Sequence, residues 1–103
     1  RKDSPTYGQY DCVELDTINN RVVWIPPGFA HGFATLKDDT VLLYKCTTYY
    51  NKEGESGIDP FDKDIGIEWP YKRDQAIFSE RDSKLQSFSE YGKDIKFDLL
   101  ERK

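Results

Sequence analysis

Short apolar runs alternate with turn-forming residues along this chain, and that pattern predicts strands rather than long helices. Residues 7–15 read as one strand, with Val13 and Leu15 on a shared face. Ser4-Pro5-Thr6 before it suits a turn or the strand's beginning. Asn19-Asn20 supplies a turn, because Asn tolerates left-handed backbone. Residues 21–25 form a second candidate strand, closed by Pro26-Pro27-Gly28, which cannot continue a central ladder. Residues 31–36 and 40–50 follow, with Lys37-Asp38-Asp39 turning the chain between them. From residue 51 to 64 the composition becomes a polar loop containing Gly54, Gly57 and Pro60. Residues 65–69 suit a short strand ended by Pro70. Ser79-Glu80-Arg81-Asp82 reads as a turn or helix start with Ser79 as N-cap, and the spacing of Phe88, Tyr91 and Ile95 predicts a short C-terminal helix.

The predicted architecture is an all-β sandwich or barrel, but these strands are too few to close one. Half a sandwich leaves a long unpaired edge and an exposed apolar face. The strand pattern therefore predicts further sequence or an intimate partner. At 103 residues the chain is enough for one domain, with no repeat, low-complexity tract or linker. It does not start with Met, so Arg1 need not be the natural beginning.

Composition narrows the function classes. Charged residues make up 33%, which fits a soluble protein, and aromatics at 15% give it apolar area to bury. No apolar run approaches the ~18 residues a membrane span needs, and no signal peptide is visible. Two cysteines, Cys12 and Cys46, are too few for a disulfide scaffold and read as reduced strand residues of a cytoplasmic protein. The net charge is −4. No basic stripe stands out, and Glu101-Arg102-Lys103 is too short to count, so neither nucleic acid nor membrane is an expected partner. An anionic ligand would need a few placed cations.

Candidate chemistry is sparse. His31 is the only histidine, and His suits proton transfer near neutral pH. It follows the Pro-Pro-Gly corner, a place for a pocket rim, although simple packing at a turn accounts for a lone His as well. One His and two separated cysteines do not form a metal cluster, so no metal is expected. On residues 40–50, strand alternation puts Leu42, Tyr44, Cys46, Thr48 and Tyr50 on one face. Six residues at ~3.3 Å place Tyr44 and Tyr50 roughly 20 Å apart, the scale of a whole nucleotide-sugar. One phenol suits proton donation at a sugar while the other ring stacks on a base; ordinary sandwich aromatics give the same pattern. Arg81 and Asp82 sit in a polar turn and Glu55 in a polar loop, where solvent exposure is the default. No phosphate-binding loop, dinucleotide fingerprint or nucleophile elbow is present.

The segment Trp24-Ile25-Pro26-Pro27-Gly28-Phe29-Ala30-His31-Gly32-Phe33 resembles the dTDP-4-dehydrorhamnose 3,5-epimerase family. Four further segments match it in order: Arg1-Lys2-Asp3-Ser4-Pro5-Thr6-Tyr7-Gly8, Leu43-Tyr44-Lys45-Cys46-Thr47-Thr48-Tyr49-Tyr50, Ile65-Gly66-Ile67-Glu68-Trp69-Pro70, and Ser79-Glu80-Arg81-Asp82. The resemblance runs over residues 1–83. It implies a homodimeric, cupin-like jelly roll, partial here, that needs no cofactor. It implies inversion at the carbons flanking the 4-keto group of a dTDP-linked 6-deoxyhexose. The ketone acidifies the C–H bond, a base removes the proton, and an acid returns one to the opposite face.

The family's base is a His in an Arg-Gly-x-His-Tyr-like segment upstream of the stretch matching Arg1, so this chain is expected to be the C-terminal part of such an enzyme and inactive alone. By motif position the resemblance makes Tyr44 the proton donor and Asp82 the carboxylate that orients the absent base. It makes His31 a substrate contact, Tyr50 the ring stacking on thymine, and Glu55 and Arg81 nucleotide-sugar-binding residues. Arg81 replaces a family Lys, which keeps the charge but changes donor geometry. Residues 59–63 depart from the family's Trp-Asn/Asp-Asp pattern, and one extra residue lies between Pro70 and Ser79. Two other readings fit the same residues: a sibling 3-epimerase on another nucleotide-linked ketosugar, and a non-catalytic cupin-like module that binds sugar-nucleotides.

Overall fold

A computed structural model of the chain describes residues 1–95; the basic ending at Glu101-Arg102-Lys103 lies outside them. Regular structure among the described residues is confined to single turns: 3₁₀ turns at Lys52–Gly54, Arg73–Gln75 and Asp82–Lys84, and one α-helix, α1, at Phe88–Tyr91. The expected C-terminal helix is thus present and short. Ser87 caps it, its hydroxyl accepting from Glu90 N while Ser87 N donates to the Glu90 carboxylate, a reciprocal capping box.

The turns fall where the sequence puts them. Asn20 and Asp39 take left-handed backbone at φ 50° and 56°. Asp16 accepts from Ile18 N and Asn19 N at 2.9 and 2.7 Å, and the Thr40 hydroxyl donates to the Lys37 carbonyl at 2.6 Å. Residues 1–9 form successive turns, with Ser4 N donating to Arg1 O, Tyr7 N to Ser4 O and Gln9 N to Thr6 O.

Packing concentrates in a small nucleus built from residues 57–91 and Tyr7. Phe61 sits between Trp69 and Phe78, with ring centroids 6.3 and 5.7 Å away, and Arg73 covers its face at 5.2 Å. Arg73 also pairs with Asp59. The Trp69 indole N–H donates to the Pro60 carbonyl at 2.6 Å, folding residues 65–69 back onto Phe61. Each aromatic pair of this kind adds about 0.5–1.5 kcal/mol beyond its buried area. An isolated parallel bridge joins Ile58 to Gln86, with Asp59 N donating to Gln86 O at 2.7 Å. Gly57 packs closely beside it: a Cβ there would lie 2.8 Å from Leu85 Cδ2, so the leucine side chain would have to shift. Tyr7 stacks on Phe88 at 5.0 Å, tying the first turns to α1.

Asp62 is the one buried residue among those described, at 8% exposure. Its Oδ1 accepts from Asp64 N and Ile65 N at 2.8 and 3.2 Å, and its Oδ2 from Phe88 N at 2.9 Å. One carboxylate therefore closes the 62–65 turn and holds the start of α1. The Phe88 N–H is the main cause of a carboxyl held below its ordinary range; burial opposes it, and the Asp64 and Ile65 N–H groups and Lys63 add to it.

The segments 7–15, 21–25, 31–36, 40–50 and 65–69 carry no backbone ladder among the described residues. For residues 65–69 the strand reading is corrected: Gly66 turns at φ 69° and Trp69 N donates back to Ile67 O. Two long-range hydrogen bonds tie residues 68–71 to earlier segments, from the Tyr71 hydroxyl to Thr35 O at 2.8 Å and from Glu68 N to the Tyr10 hydroxyl at 3.4 Å. The other segments leave their apolar side chains in solvent, among them Val22, Val41, Leu43 and Tyr49, and no hydrophobic residue is buried among those described. The accessible surface is 9709 Å². A self-contained monomer of 12.0 kDa shows roughly 6,000 Å².

Candidate functional site

The six candidate residues divide into two groups. Glu55, Arg81 and Asp82 belong to the framed part of the chain. Glu55 follows the Lys52–Gly54 turn, which Asn51 caps by accepting from Glu53 N, and Glu55 N donates to Lys52 O. Arg81 and Asp82 lie in a turn organised by Ser79, whose hydroxyl accepts from Asp82 N at 3.1 Å and whose carbonyl accepts from Ser83 N at 3.0 Å. The N-cap of the Asp82–Lys84 turn is Arg81, so Ser79 organises the turn from two residues further out instead of capping it. Ser83 and Lys84 add bonds to the Glu80 carbonyl and carboxylate.

The two turns meet through an ion pair, Arg81 Nη1 to Glu55 Oε2 at 3.5 Å. The guanidinium therefore faces a carboxylate from a distant loop rather than its neighbour Asp82. Both side chains remain partly in water, so the pair contributes little to stability. Its effect is directional: it brings an acceptor and a five-donor cation side by side at one surface, with the Asp82 carboxylate exposed next to them.

His31, Tyr44 and Tyr50 form the other group. They lie on the segments without ladders, and all three are exposed. Tyr44 is 75% exposed, so its ring is not sealed in an apolar interior. No hydrogen bond, ion pair or ring contact joins these three to Glu55, Arg81 or Asp82 among the described residues. A shallow depression along the same stretch is lined by Cys46, Thr47, Thr48 and Tyr49, four consecutive residues with no candidate among them. Cys12 and Cys46 are free and exposed. No group of three His, Cys, Asp or Glu side chains is arranged to hold a metal among the described residues, and no helix there is long and apolar enough to cross a membrane.

Two residues with structural weight escaped the sequence reading. Asp62 is one; the signal was the Asp59-Pro60-Phe61-Asp62-Lys63-Asp64 run, in which each Asp is able to close an Asx turn. Tyr91 is the other. Burial and the neighbouring Tyr7 phenol push its hydroxyl above the ordinary tyrosine value.

Comparison with known proteins adds to this geometry. The family profile described as dTDP-4-dehydrorhamnose 3,5-epimerase matches residues 1–90. A curated dTDP-4-dehydrorhamnose 3,5-epimerase of Methanothermobacter thermautotrophicus is 46% identical over 91 residues, covering 87% of this chain and 49% of that protein. The one from Sinorhizobium fredii is 47% identical over 90 residues, covering 87% and 46%. The one from Salmonella typhimurium is 51% identical over 73 residues, covering 71% and 40%. The chain spans about half the length of the curated relatives it matches. No solved structure matches it.

Proposed function

The chain belongs to the dTDP-4-dehydrorhamnose 3,5-epimerase family, and from that premise we propose that it supplies the proton-donor side of a nucleotide-sugar 3,5-epimerase. The substrate is a dTDP-linked 4-keto-6-deoxyhexose and the product has both carbons beside the ketone inverted. The observation that carries this reading is the family match over residues 1–90, which includes all six candidate residues. In this reading the extended segments are strands of a cupin-like jelly roll. Their ladder partners and the covering of Val22, Val41 and Leu43 come from polypeptide beyond these residues, in a cytoplasmic homodimer that uses no cofactor.

The chemistry follows from the side chains. Enolisation builds negative charge on the keto oxygen, and a donor beside it lowers the barrier; His31, on the corner after Gly28, takes that place. The Tyr44 phenol returns a proton to the face opposite the one the base attacked. Asp82 orients the base, a histidine from outside this chain, and favours its charged form. Tyr50 stacks on thymine, while Arg81 and Glu55 hold the nucleotide-sugar, the guanidinium toward phosphate oxygens and the carboxylate toward hydroxyls.

The test is a chimera in which these residues replace the matching segment of the Methanothermobacter thermautotrophicus relative. It is expected to incorporate solvent deuterium at C3 and C5 of the 4-keto sugar, whereas the 103-residue chain alone incorporates none. Exchange by the chain alone would remove the need for an outside base. A chimera that binds dTDP in calorimetry without exchanging would make this a binding module instead.

Arg81 gives a second check. Arg81→Ala in the chimera is expected to raise KM about tenfold with little change in kcat, the signature of lost ground-state binding. Arg81→Lys restores the family residue and most of the affinity. A fall in kcat with KM unchanged would move Arg81 from holding the substrate to the chemical step.

A further inference from the structure

The Arg1 side chain lies against Gly28 at the end of the Pro26-Pro27-Gly28 corner, and the proposed reaction does not use it. Gly28 has φ 92°, a conformation that favours glycine. A Cβ there would come within 3.0 Å of both Cδ and Cζ of Arg1 and nearer still to Nε. Arg1 Nε is buried and has no hydrogen-bond partner. An orphaned guanidinium N–H is costly, and it persists where packing of the surrounding chain holds the group in place. Here the group is seated on the one residue of the corner that has no side chain.

What fixes Arg1 from the other side is also visible. Arg1 O accepts from Ser4 N, Ser4 O from Tyr7 N, and Tyr7 stacks on Phe88 of α1. The Phe88 N–H is held by Asp62. A continuous path therefore runs from the packed nucleus through Tyr7 and the first turns to Arg1, and from Arg1 to Gly28. Gly28 is followed by Phe29, Ala30 and His31. The stretch from His31 to Phe33 has no hydrogen bond to the nucleus of its own among the described residues.

We propose that Arg1 is a positioning residue for His31: its side chain lies against Gly28 while its backbone is tied through the first turns to the nucleus, and it so sets the Pro26-Pro27-Gly28 corner and the place of the imidazole. The proposal rests on the epimerase reading for what His31 does, but not for the coupling itself. Guanidinium length matters here, because the contact reaches Gly28 through Cδ, Nε and Cζ. A Lys at position 1 keeps the charge and loses the flat group that covers the glycine.

Two measurements test it. In the chimera, nuclear Overhauser contacts between the Arg1 Cδ protons and the Gly28 Cα protons are expected, and Arg1→Ala is expected to lower backbone order parameters at residues 28–31 without changing those at residues 58–69. Unchanged order at 28–31 overturns the coupling, whatever the enzyme does. In the chimera, Arg1→Ala is expected to cut kcat/KM for deuterium incorporation about 10- to 100-fold, the scale of a misplaced contact group. Arg1→Lys should recover only part of that loss. Adding Arg1→Ala to His31→Ala should cost nothing further, because Arg1 acts through the imidazole. Additive losses overturn the positioning role. An unsubstituted chimera without exchange would fail the epimerase reading alone, and the order parameters would still decide the coupling.

Discussion

Tyr44→Phe in the chimera is expected to slow formation of the inverted, deuterium-labelled product in D₂O about 10²–10⁴-fold, the usual worth of one positioned general acid. The substitution removes one oxygen and keeps the ring, so the sugar's apolar contacts survive. The loss should therefore appear in kcat, with KM changed little. Position should matter as well. The base removes protons whether or not the acid is present, so loss of the acid weakens reprotonation from the opposite face more than exchange on the base's own face. Inverted product should fall further than exchanged starting material, and the two are separable by proton NMR of the sugar. Equal rates for Tyr44→Phe and the unsubstituted chimera would strike Tyr44 from the mechanism. The alternative donor would then have to come from polypeptide outside these residues, because Tyr50 lies six positions along, roughly 20 Å in an extended strand.

How much of this was legible in the sequence depends on the range of the interactions. Local chemistry was readable. Asn20 and Asp39 take left-handed turns, the Ser79 hydroxyl accepts from Asp82 N in the turn read there, and Phe88 and Tyr91 fall in α1. Each depends on residues within four positions, and side-chain type fixes the outcome. Strands are different. Alternation over residues 40–50 fixes which side chains share a face, but a ladder needs neighbours, and the described residues supply none to Tyr44 or Tyr50. Residues 65–69 alternate just as well and still fold back, because the Trp69 indole reaches the Pro60 carbonyl and Gly66 allows the turn. The candidate site shows the same division. Glu55 and Arg81 were each assigned through the family resemblance, but their pairing joins two loops 26 residues apart and has no periodic signature. Arg1 on Gly28 is likewise a contact between distant turns, visible only once both φ 92° at the glycine and the path of the guanidinium are known.

Asp62→Ala should be the most destabilising single change in the framed part of the chain. It strips the acceptor from three backbone N–H groups at once, those of Asp64, Ile65 and Phe88. Leaving a buried donor unsatisfied costs about 1–3 kcal/mol, so the sum is on the order of 3 kcal/mol after partial rehydration. For a chain of this size that lowers Tm by roughly 15 °C. Asp62→Asn should fall between. One amide oxygen is able to keep the 62–65 turn, but the second position becomes an NH₂ group facing the Phe88 N–H, so the tie to α1 is lost. The acid limb separates charge from shape. The folded carboxyl titrates below its ordinary value, so its contribution is complete above the unfolded pKa, about 3.9. It disappears as pH falls below that value through the folded one. Thermal melts of the unsubstituted chain should therefore be level in Asp62's contribution from pH 5 to 8 and lose it below about pH 4, while the difference from Asp62→Asn narrows over the same acid range. The Trp69 indole N–H resonance reports the nucleus directly, since its proton is held by Pro60 two residues from Asp62. If Asp62→Ala left that resonance and the melting midpoint where they were, the nucleus would be held by Phe61 and its aromatic neighbours alone, and the path from α1 to the His31 corner would lose its anchor.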